Sequence, residues 1–467
     1  MSGVTIRDAM TDAQLFGDTF GGDSFAAWRT LLAGFYGLPL EDTEADTFRT
    51  LTGRAETPTE ASDELWLAVG RRGGKSHVAA LVATFEAAFK DHRDKLAAGE
   101  WATVLLIAAD RPQARTLLRY VRGMFEHPML KSLVLRETAE GLELRNRCSI
   151  EVGTASFRSV RGYTLATVIC DEIAFWMSDG ARPDVEVVAA LRPALATLGG
   201  PLLALSSPYA RRGVLWDAYR RHFGQDGRVL VAQAPSRAMN PTLPQRIVDD
   251  ALADDPQRAS AEYLAQFRSD IEQFLALEIV SAAQRQKPME IPRQEGSKYW
   301  GFVDPSGGGA DEFSLCIGHE ERGQVVIDIV RGRKGNPAAI TADYCDVLRS
   351  YGVRRVYGDR YSGEWSRTEF RRLGLAYLDA PGIRSELYLS LSSALNAGRV
   401  ELPPCQILER QLTGLERRTL RGGRDMIDHA PGAHDDRANA VAGLVALLAT
   451  DRMREPTTTT GTLIGLY

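Results

Sequence analysis

The stretch LWLAVGRRGGKSH, residues 65–77, decides the fold of the first half, because it has the order of a buried strand, a glycine-rich turn and a helix. Three glycines in the turn can adopt backbone conformations that a Cβ would penalise: Gly70, Gly73 and Gly74. Successive N–H groups can then point at phosphate oxygens where the helix begins. Lys75 is predicted to reach the outer phosphates and Ser76 to hold Mg²⁺ through its hydroxyl.

This turn is shorter than the common pattern G-x-x-x-x-G-K-[ST], which would need a glycine where the chain has Val69. The first glycine comes one residue later, so we interpret the turn as a shortened phosphate-binding loop. An ordinary glycine turn before an amphipathic helix is the alternative. The order of strand, turn and helix favours an NTPase.

Length and composition indicate a soluble chain of several domains. The 467 residues exceed one ordinary core, and 44% hydrophobic and 25% charged residues are common values. No apolar run approaches the roughly 20 residues that span a bilayer, and the N-terminus lacks a signal-peptide pattern. Five scattered cysteines, never in a C-x-x-C pair, are expected to be reduced thiols. We therefore expect a cytoplasmic location and no membrane.

Strand and helix patterns alternate after the loop, as expected for a parallel α/β sheet. Residues 101–109 and 166–171 read as buried strands, and residues 142–152 as a hairpin. The second strand ends in Asp171, predicted to hold the Mg²⁺ shell through water, and Glu172, predicted to orient and deprotonate the attacking water.

A further strand, residues 201–206, ends in Ser206, Ser207 and Pro208, whose hydroxyls could sense the γ-phosphate. A simple turn is the alternative. Upstream of the loop, five apolar residues have the spacing of one helix face: Phe25, Trp28, Leu31, Leu32 and Phe35. They are expected to be core, with a cover over a bound adenine as the second interpretation.

Arginine can neutralise the charge that develops during phosphoryl transfer. The candidates are Arg71 and Arg72 in the loop, and Arg158 and Arg161 in the segment SFRSVRG. The latter pair is a candidate for acting on the nucleotide of a neighbouring subunit.

The C-terminal half shows three strands, a helix, another strand and a late helix, which is a ribonuclease H-like layout. Asp304 ends the first strand and Asp359 the fourth, while Asp435 and Asp436 precede the last helix. Two divalent ions about 4 Å apart need carboxylates from such separate elements, so these residues are predicted ligands, Asp304 bridging. Caps and turns are the alternative for each Asp. His434 is expected to support the helix start rather than to bind metal.

Two arginine-rich segments lie in this half and are candidate guides for a phosphate backbone. They comprise Arg354, Arg355, Arg360, Arg367, Arg371 and Arg372, then Arg410, Arg417, Arg418, Arg421 and Arg424. The predicted domains are a P-loop ATPase domain (1–234), a helical linker (235–295), a ribonuclease H-like nuclease domain (296–450) and a flexible tail (451–467).

Together, GRRGGKS, VICDE and LSSP in the first half and FVDPSGG, VYGD and HDD in the second resemble the large terminase subunit of tailed bacteriophages and prophages. That resemblance implies an ASCE-type P-loop ATPase and a nuclease needing Mg²⁺ or Mn²⁺. It implies that Asp171 and Glu172 are the Walker B pair and that residues 206–208 are the coupling motif. The doubled Asp leaves open which of Asp435 and Asp436 is the third nuclease ligand.

The resemblance also implies partners: double-stranded DNA, a portal protein, a small terminase subunit and a homo-oligomeric ring, expected to be a pentamer. It implies action in the cytoplasm of a bacterial host and absence from the mature virion. Two alternatives are a DNA helicase or repair ATPase fused to a nuclease, and a non-catalytic DNA-binding capsid-associated protein. A helicase should show a second ATPase-like lobe, and residues 210–295 lack that strand pattern.

Overall fold

The computed structural model of the chain describes residues 3–154, 162–176, 183–305, 311–359, 363–419, 425–430 and 433–454. The chain divides into two compact units, Met1–Asp270 and Ile271–Tyr467, called the first and second unit below. The division falls inside the predicted linker 235–295, whose first helices belong to the first unit and whose last helix belongs to the second.

The first unit has a central sheet covered by helices. Its strands are β1 (Glu64–Val69), β2 (Ala102–Ala108), β3 (Val134–Thr138), β4 (Gly141–Leu144), β5 (Cys148–Thr154), β6 (Thr164–Asp171), β7 (Leu202–Ser206) and β8 (Val229–Ala234). Its helices are α1 (Ile6–Thr11), α2 (Gly17–Phe20), α3 (Ala26–Phe35), α4 (Asp42–Thr52), α5 (Lys75–Ala88), α6 (Arg111–Phe125), α7 (Pro128–Lys131), α8 (Pro183–Ala196), α9 (Gly213–His222), α10 (Ser236–Met239), α11 (Gln245–Asp254) and α12 (Pro256–Leu264).

The strand order in this sheet is β3-β4-β5-β2-β6-β7-β1-β8. All pairings from β5 to β8 are parallel, and β4 and β5 form the antiparallel pair predicted as a hairpin. Every residue of β2 is buried, as expected for a parallel strand covered on both faces. Because β7 lies between β1 and β6, the carboxyl ends of these three strands meet at one edge of the sheet.

Helix α3 confirms the predicted core face upstream of the loop. Trp28, Leu31, Leu32 and Phe35 are all buried, at the spacing of one face of a helix. Phe25 precedes the helix and packs partly buried against the same core. These side chains join the core that also includes β1 and α5.

The second unit is built on a mixed sheet. Its strands are β9 (Ile271–Gln273), β10 (Tyr299–Asp304), β11 (Phe313–Glu321), β12 (Gln324–Arg333), β13 (Arg355–Gly358), β14 (Ala376–Asp379), β15 (Val400–Glu401), β16 (Leu415–Thr419) and β17 (Asp425–His429). Its helices are α13 (Leu277–Ala283), α14 (Pro337–Ser350), α15 (Gly363–Arg372), α16 (Arg384–Asn396), α17 (Gln406–Thr413) and α18 (Asp436–Arg454).

Six strands form the main sheet of this unit in the order β14-β13-β10-β11-β12-β15, and β17-β16-β9 form a small second sheet. Strands β10, β11 and β12 are antiparallel, whereas β13 pairs with β10 in parallel. Helix α18 packs against β10, β11 and β12. This arrangement confirms the predicted α/β class and the ribonuclease H-like layout of three strands, a helix, a strand and a late helix. Within the described ranges, none of the helices combines the length and apolar content needed to span a bilayer.

Candidate active sites

The loop between β1 and α5 is shaped by its glycines. A Cβ at Gly70 would lie 2.8 Å from both the Ser236 nitrogen and the Tyr263 carbonyl oxygen, so only glycine fits there. Gly74 caps α5 with a φ of +89°, a conformation that suits glycine. The shortened loop therefore packs closely against Ser236 and Tyr263 at Gly70, and it leads directly into α5 at Gly74.

Backbone donors are left over where α5 begins. No carbonyl of a described residue accepts a hydrogen bond from the N–H groups of Gly74, Lys75, Ser76 or His77. The first N–H groups of any helix lack partners within the helix, and here they follow a glycine turn at the edge of a parallel sheet. Four such donors and the positive end of the helix dipole favour a bound anion such as phosphate.

Lys75 lies beside these donors and is almost fully buried. Its Nζ donates to the Val69 carbonyl at 2.9 Å and to Ser207 Oγ at 2.9 Å. Burial lowers the pKa of Lys75, and the Glu172 and Asp171 carboxylates oppose that shift. The ammonium group therefore sits between the loop, β7 and the end of β6.

Asp171 at the end of β6 faces the start of α5. Its Oδ2 lies 3.5 Å from Ser76 Oγ. Burial and the neighbouring Glu172 charge raise the pKa of Asp171 to about 6, against the attraction of Lys75. A hydroxyl and a carboxylate at this separation are oxygen donors of the kind that Mg²⁺ prefers, so the residues fit the ion predicted there.

Glu172 adopts a left-handed backbone conformation, with φ +49° and ψ +42°. Non-glycine residues rarely adopt this conformation, and those that do are concentrated at functional sites. Its N–H donates to Asp171 Oδ1 at 3.0 Å, and its carboxylate accepts a hydrogen bond from Ser206 Oγ at 2.8 Å. Ser206 at the end of β7 and the adjacent Ser207 thus connect the predicted general base to the predicted phosphate-binding lysine.

The candidate arginines fall into two groups. Arg71 is more than half exposed and lies 3.4 Å from the Glu262 carboxylate. Arg72 is exposed, has a φ of +66°, and its carbonyl accepts a hydrogen bond from Asn240. Arg158 and Arg161 lie outside the described residues. A role in neutralising charge during phosphoryl transfer stays a prediction for all four arginines.

A second constellation lies in the other unit, where Asp304 ends β10. Asp304 is buried, and its Oδ2 accepts a hydrogen bond from Asn439 Nδ2 at 2.9 Å. Burial raises the pKa of Asp304 to about 7, opposed by Asn439 and by Arg384. Ser314, directly opposite Asp304 in the β10–β11 ladder, has a buried hydroxyl that finds no hydrogen-bond partner among the described residues. A buried carboxyl next to an unsatisfied oxygen fits a cation-binding position.

Asp435 is also buried, and it lies close enough to Asp304 for its charge to raise the pKa of that carboxyl further. Its Oδ2 accepts a hydrogen bond from Tyr388 Oη at 2.6 Å and lies 3.6 Å from the Arg384 guanidinium. Burial alone would lower the pKa of Arg384, but the Asp435 charge helps to raise it. The sequence did not indicate Tyr388, Arg384 or Asn439, because none belongs to a motif.

Asp436 makes different contacts from its neighbour. Its Oδ2 accepts a hydrogen bond from the Glu312 N–H at 3.1 Å. Ligand-type atoms of Asp311, His434 and Asp436 all lie within 4.8 Å of one another, and His434 Nδ1 is 3.0 Å from Asp311 Oδ1. The two adjacent aspartates therefore face two different sets of partners.

Asp359 follows β13 at the same sheet edge as Asp304. Val303 and Gly358 are opposite each other in the parallel ladder, and Asp304 and Asp359 are the residues that directly follow this pair in the sequence. The Asp359 carbonyl accepts a hydrogen bond from Tyr377 Oη at 3.1 Å. The register thus brings two of the predicted ligands to neighbouring strand ends.

Several of the arginines predicted to guide DNA are engaged with carboxylates in this structure. These ion pairs are Arg367–Asp379, Arg372–Glu369, Arg417–Asp425 and Arg418–Glu416. Three others, Arg360, Arg421 and Arg424, lie outside the described residues. Arg418 is an exception, because its partner Glu416 is fully buried. The arginines of the other three pairs are exposed, and such surface pairs contribute little to stability, so these arginines can exchange their partners for phosphate.

Comparison with known proteins gave matches among solved structures, whereas no protein-family model and no curated protein matched the chain. The large terminase of bacteriophage HK97 is 15% identical, with 90% of this chain and 99% of that chain covered and a TM-score of 0.38. A large terminase from a thermophilic bacteriophage is 12% identical, covers 91% and 98%, and has a TM-score of 0.39. The large terminase nuclease of thermophilic phage G20c is 16% identical, covers 36% and 95%, and has a TM-score of 0.32.

Proposed function

We propose that this chain is the large terminase subunit of a tailed phage or prophage, an ATP-driven DNA-packaging motor that also cuts DNA. The observation that carries this proposal is the presence of two separate constellations, one in each compact unit. The first joins a phosphate-binding loop to a Walker B pair, and the second gathers buried carboxylates at one edge of a ribonuclease H-like sheet.

In the first unit, the free N–H groups at the start of α5 would bind the phosphates of ATP. Lys75 would balance their charge, since its Nζ already lies in a buried, electronegative position at the loop. Glu172 would orient the attacking water and accept its proton. Ser76 would hold Mg²⁺ directly and Asp171 through water, and the ion would neutralise charge on the β- and γ-phosphates.

Ser206 and Ser207 would connect hydrolysis to motion. Ser207 Oγ accepts a hydrogen bond from Lys75, while Ser206 Oγ donates to the Glu172 carboxylate. Loss of the γ-phosphate would change the partners of both catalytic groups at once. Such a change at the end of β7 is the kind of local event that a motor can transmit.

In the second unit, Asp304, Asp359 and one of Asp435 and Asp436 would hold two divalent ions, Mg²⁺ or Mn²⁺. These ions would activate a water and stabilise the attacking and leaving oxygens of the scissile phosphate. Asn439 would hold the Asp304 carboxylate in one orientation. Arginines released from surface ion pairs would contact the DNA backbone.

A packaging role explains why both activities would belong to one chain. The proposal includes double-stranded DNA as substrate, a portal protein and a small terminase subunit as partners, and a homo-oligomeric ring in the host cytoplasm. A fused helicase is disfavoured because, between α9 and β10, the described strands are β8, which extends the first sheet, and the three-residue β9.

The ATPase part is tested with purified full-length protein and Mg·ATP. Lys75→Ala should lower turnover by about 100-fold or more, because it removes the charge that faces the phosphates. Lys131→Ala is the matched control, since Lys131 is exposed and pairs with Glu126 on the surface. Equal turnover in wild-type and Lys75→Ala protein would overturn the assignment.

The nuclease part is tested by cleavage of supercoiled plasmid DNA with Mg²⁺ or Mn²⁺. Asp304→Asn should abolish cutting at every metal concentration, because it removes charge from the bridging position. Asp346→Asn, which changes an exposed residue of α14, is the control and should cut normally. Normal cutting by Asp304→Asn would refute the metal site.

A further inference from the structure

Two buried tryptophans each donate an indole N–H to a carbonyl of a candidate catalytic loop. Trp28 Nε1 donates to the Gly73 carbonyl at 2.8 Å, and Trp176 Nε1 donates to the Asp171 carbonyl at 2.9 Å. Trp28 is 0% exposed and Trp176 is 5% exposed. Buried hydrogen bonds of this length fix the acceptor in place, because losing the donor would leave the carbonyl unsatisfied.

Trp28 acts on the most adaptable peptide of the phosphate-binding loop. The Gly73 carbonyl and the Gly74 N–H belong to one planar peptide group, so an indole that holds the carbonyl also fixes the direction of the N–H. Glycine neighbours would otherwise let this peptide rotate. A Cβ at Gly74 would lie only 3.3 Å from Trp28 Nε1, which shows how closely the ring abuts the loop.

Trp176 acts in the same way on the other loop. The Asp171 carbonyl shares a peptide group with the Glu172 N–H, which itself donates to Asp171 Oδ1. Glu172 has a left-handed conformation that is unfavourable for a non-glycine residue. The indole therefore helps to hold a backbone conformation that directs the Glu172 carboxylate toward Ser206.

We propose that Trp28 and Trp176 are positioning residues of the ATPase site, Trp28 for phosphate binding and Trp176 for the general base. This inference rests on the proposed ATPase function. The two tryptophans hold carbonyls of different loops, so each should affect a different kinetic constant. Trp28 sets the donors that bind nucleotide in the ground state, and Trp176 sets the group that acts on water.

Trp66 offers a matched control within the same sheet. It is 2% exposed, and its Nε1 donates to Glu64 Oε2 at 2.9 Å. Glu64 begins β1, at the end of the strand away from the loop. Trp66→Phe therefore removes a part-buried indole hydrogen bond of similar length from a buried tryptophan without touching either catalytic loop.

The test compares steady-state ATP hydrolysis by Trp28→Phe, Trp176→Phe and Trp66→Phe in the full-length protein. Trp28→Phe should raise KM for ATP by about 3- to 10-fold with kcat within about twofold, the range expected for loss of one hydrogen bond. Trp176→Phe should lower kcat by a similar factor with little change in KM. Trp66→Phe should change neither constant.

A second pair of variants separates the hydrogen bond from packing. Replacing Trp28 or Trp176 by benzothienylalanine keeps the two-ring shape and substitutes sulfur for the N–H. These variants should reproduce the kinetic effect of Phe without its loss of core volume. Normal constants in both benzothienylalanine variants, or equal effects at all three tryptophans, would overturn the inference.

Indole exchange provides a readout independent of turnover. In protein labelled with ¹⁵N-tryptophan, the Trp28 and Trp176 indole protons should exchange with solvent far more slowly than that of Trp365, which is 45% exposed. If the wild type shows this protection but does not hydrolyse ATP, the proposed function is refuted and the two indole contacts stand. Exchange as fast as that of Trp365 refutes the contacts and with them the inference.

Discussion

Glu86 gives the phosphate-loop helix a pH-dependent stability that can be measured. It lies in the last turn of α5, is 3% exposed, and its Oε1 accepts a hydrogen bond from Tyr36 Oη at 2.7 Å. Burial raises the pKa of Glu86 from 4.5 to about 7, although Tyr36 and Lys90 oppose the shift. The side chain is therefore protonated in the folded protein at pH values where the unfolded chain has already ionised it.

The sign of the effect follows from that raised pKa. Below pH 4.5 Glu86 is protonated in both states, and its favourable contribution is fully present; between pH 4.5 and 7 it is lost as the unfolded state releases the proton. At 1.36 kcal/mol per pKa unit, the loss amounts to about 3 kcal/mol. Glu86→Gln keeps an acceptor for Tyr36 but does not titrate, so it avoids this loss.

The assay is urea-induced unfolding of the full-length wild type and Glu86→Gln between pH 5 and 8. We expect the difference in the free energy of unfolding, variant minus wild type, to increase with pH across this range by an amount approaching 3 kcal/mol. Glu126→Gln is the control, because Glu126 is exposed and its pairing with Lys131 is on the surface. Parallel pH profiles for Glu86→Gln and wild type would show that folding does not raise the pKa of Glu86.

Three further predictions concern the catalytic groups. In metal-free protein at pH 8, Asp304→Asn should leave the Tm level or raise it, because it removes a buried carboxyl whose pKa is raised to about 7; a clear fall in Tm by calorimetry would contradict this. Asp435→Asn should lower the Tm, because the buried Tyr388 and Arg384 lose their charged partner. Asp436→Asn should mainly weaken divalent-ion binding, which would make Asp436 the ligand and Asp435 the structural residue. The opposite pattern in the same calorimetry would exchange these two roles. Arg158→Ala or Arg161→Ala should bind ATP normally and hydrolyse it poorly, with activity partly restored by mixing with protein that lacks the general base; unchanged turnover in both would exclude them.

Local sequence was sufficient to predict the central strands and to place several candidate residues next to one another. The apolar runs of β1, β2 and β6 are buried parallel strands, and the residues at the ends of β1 and β6 meet where β7 lies between those two strands. Parallel strands place their carboxyl ends at one edge, so a motif at each strand end was enough to predict the cluster. The same logic placed Asp304 and Asp359 at neighbouring strand ends.

The supporting contacts could not be predicted, because they join residues far apart in sequence without a local pattern. Trp28 contacts a carbonyl 45 residues away, and Asn439 contacts Asp304 across 135 residues. On the helical pattern, Trp28 was indistinguishable from any other core residue of α3. The different partners of Asp435 and Asp436 likewise depend on how α18 begins, which the doubled aspartate alone does not specify.

If two independent catalytic sites lie in separate units of one chain, substitutions should abolish one activity and leave the other. ATP turnover and plasmid cleavage are measured side by side for wild type, Glu172→Gln and Asp304→Asn, each purified identically. We predict that Glu172→Gln loses ATP turnover by about 100-fold or more and retains metal-dependent cleavage, while Asp304→Asn shows the reverse. Loss of both activities in either variant, or wild-type turnover in Glu172→Gln together with normal cleavage in Asp304→Asn, would rule out two independent sites at these residues.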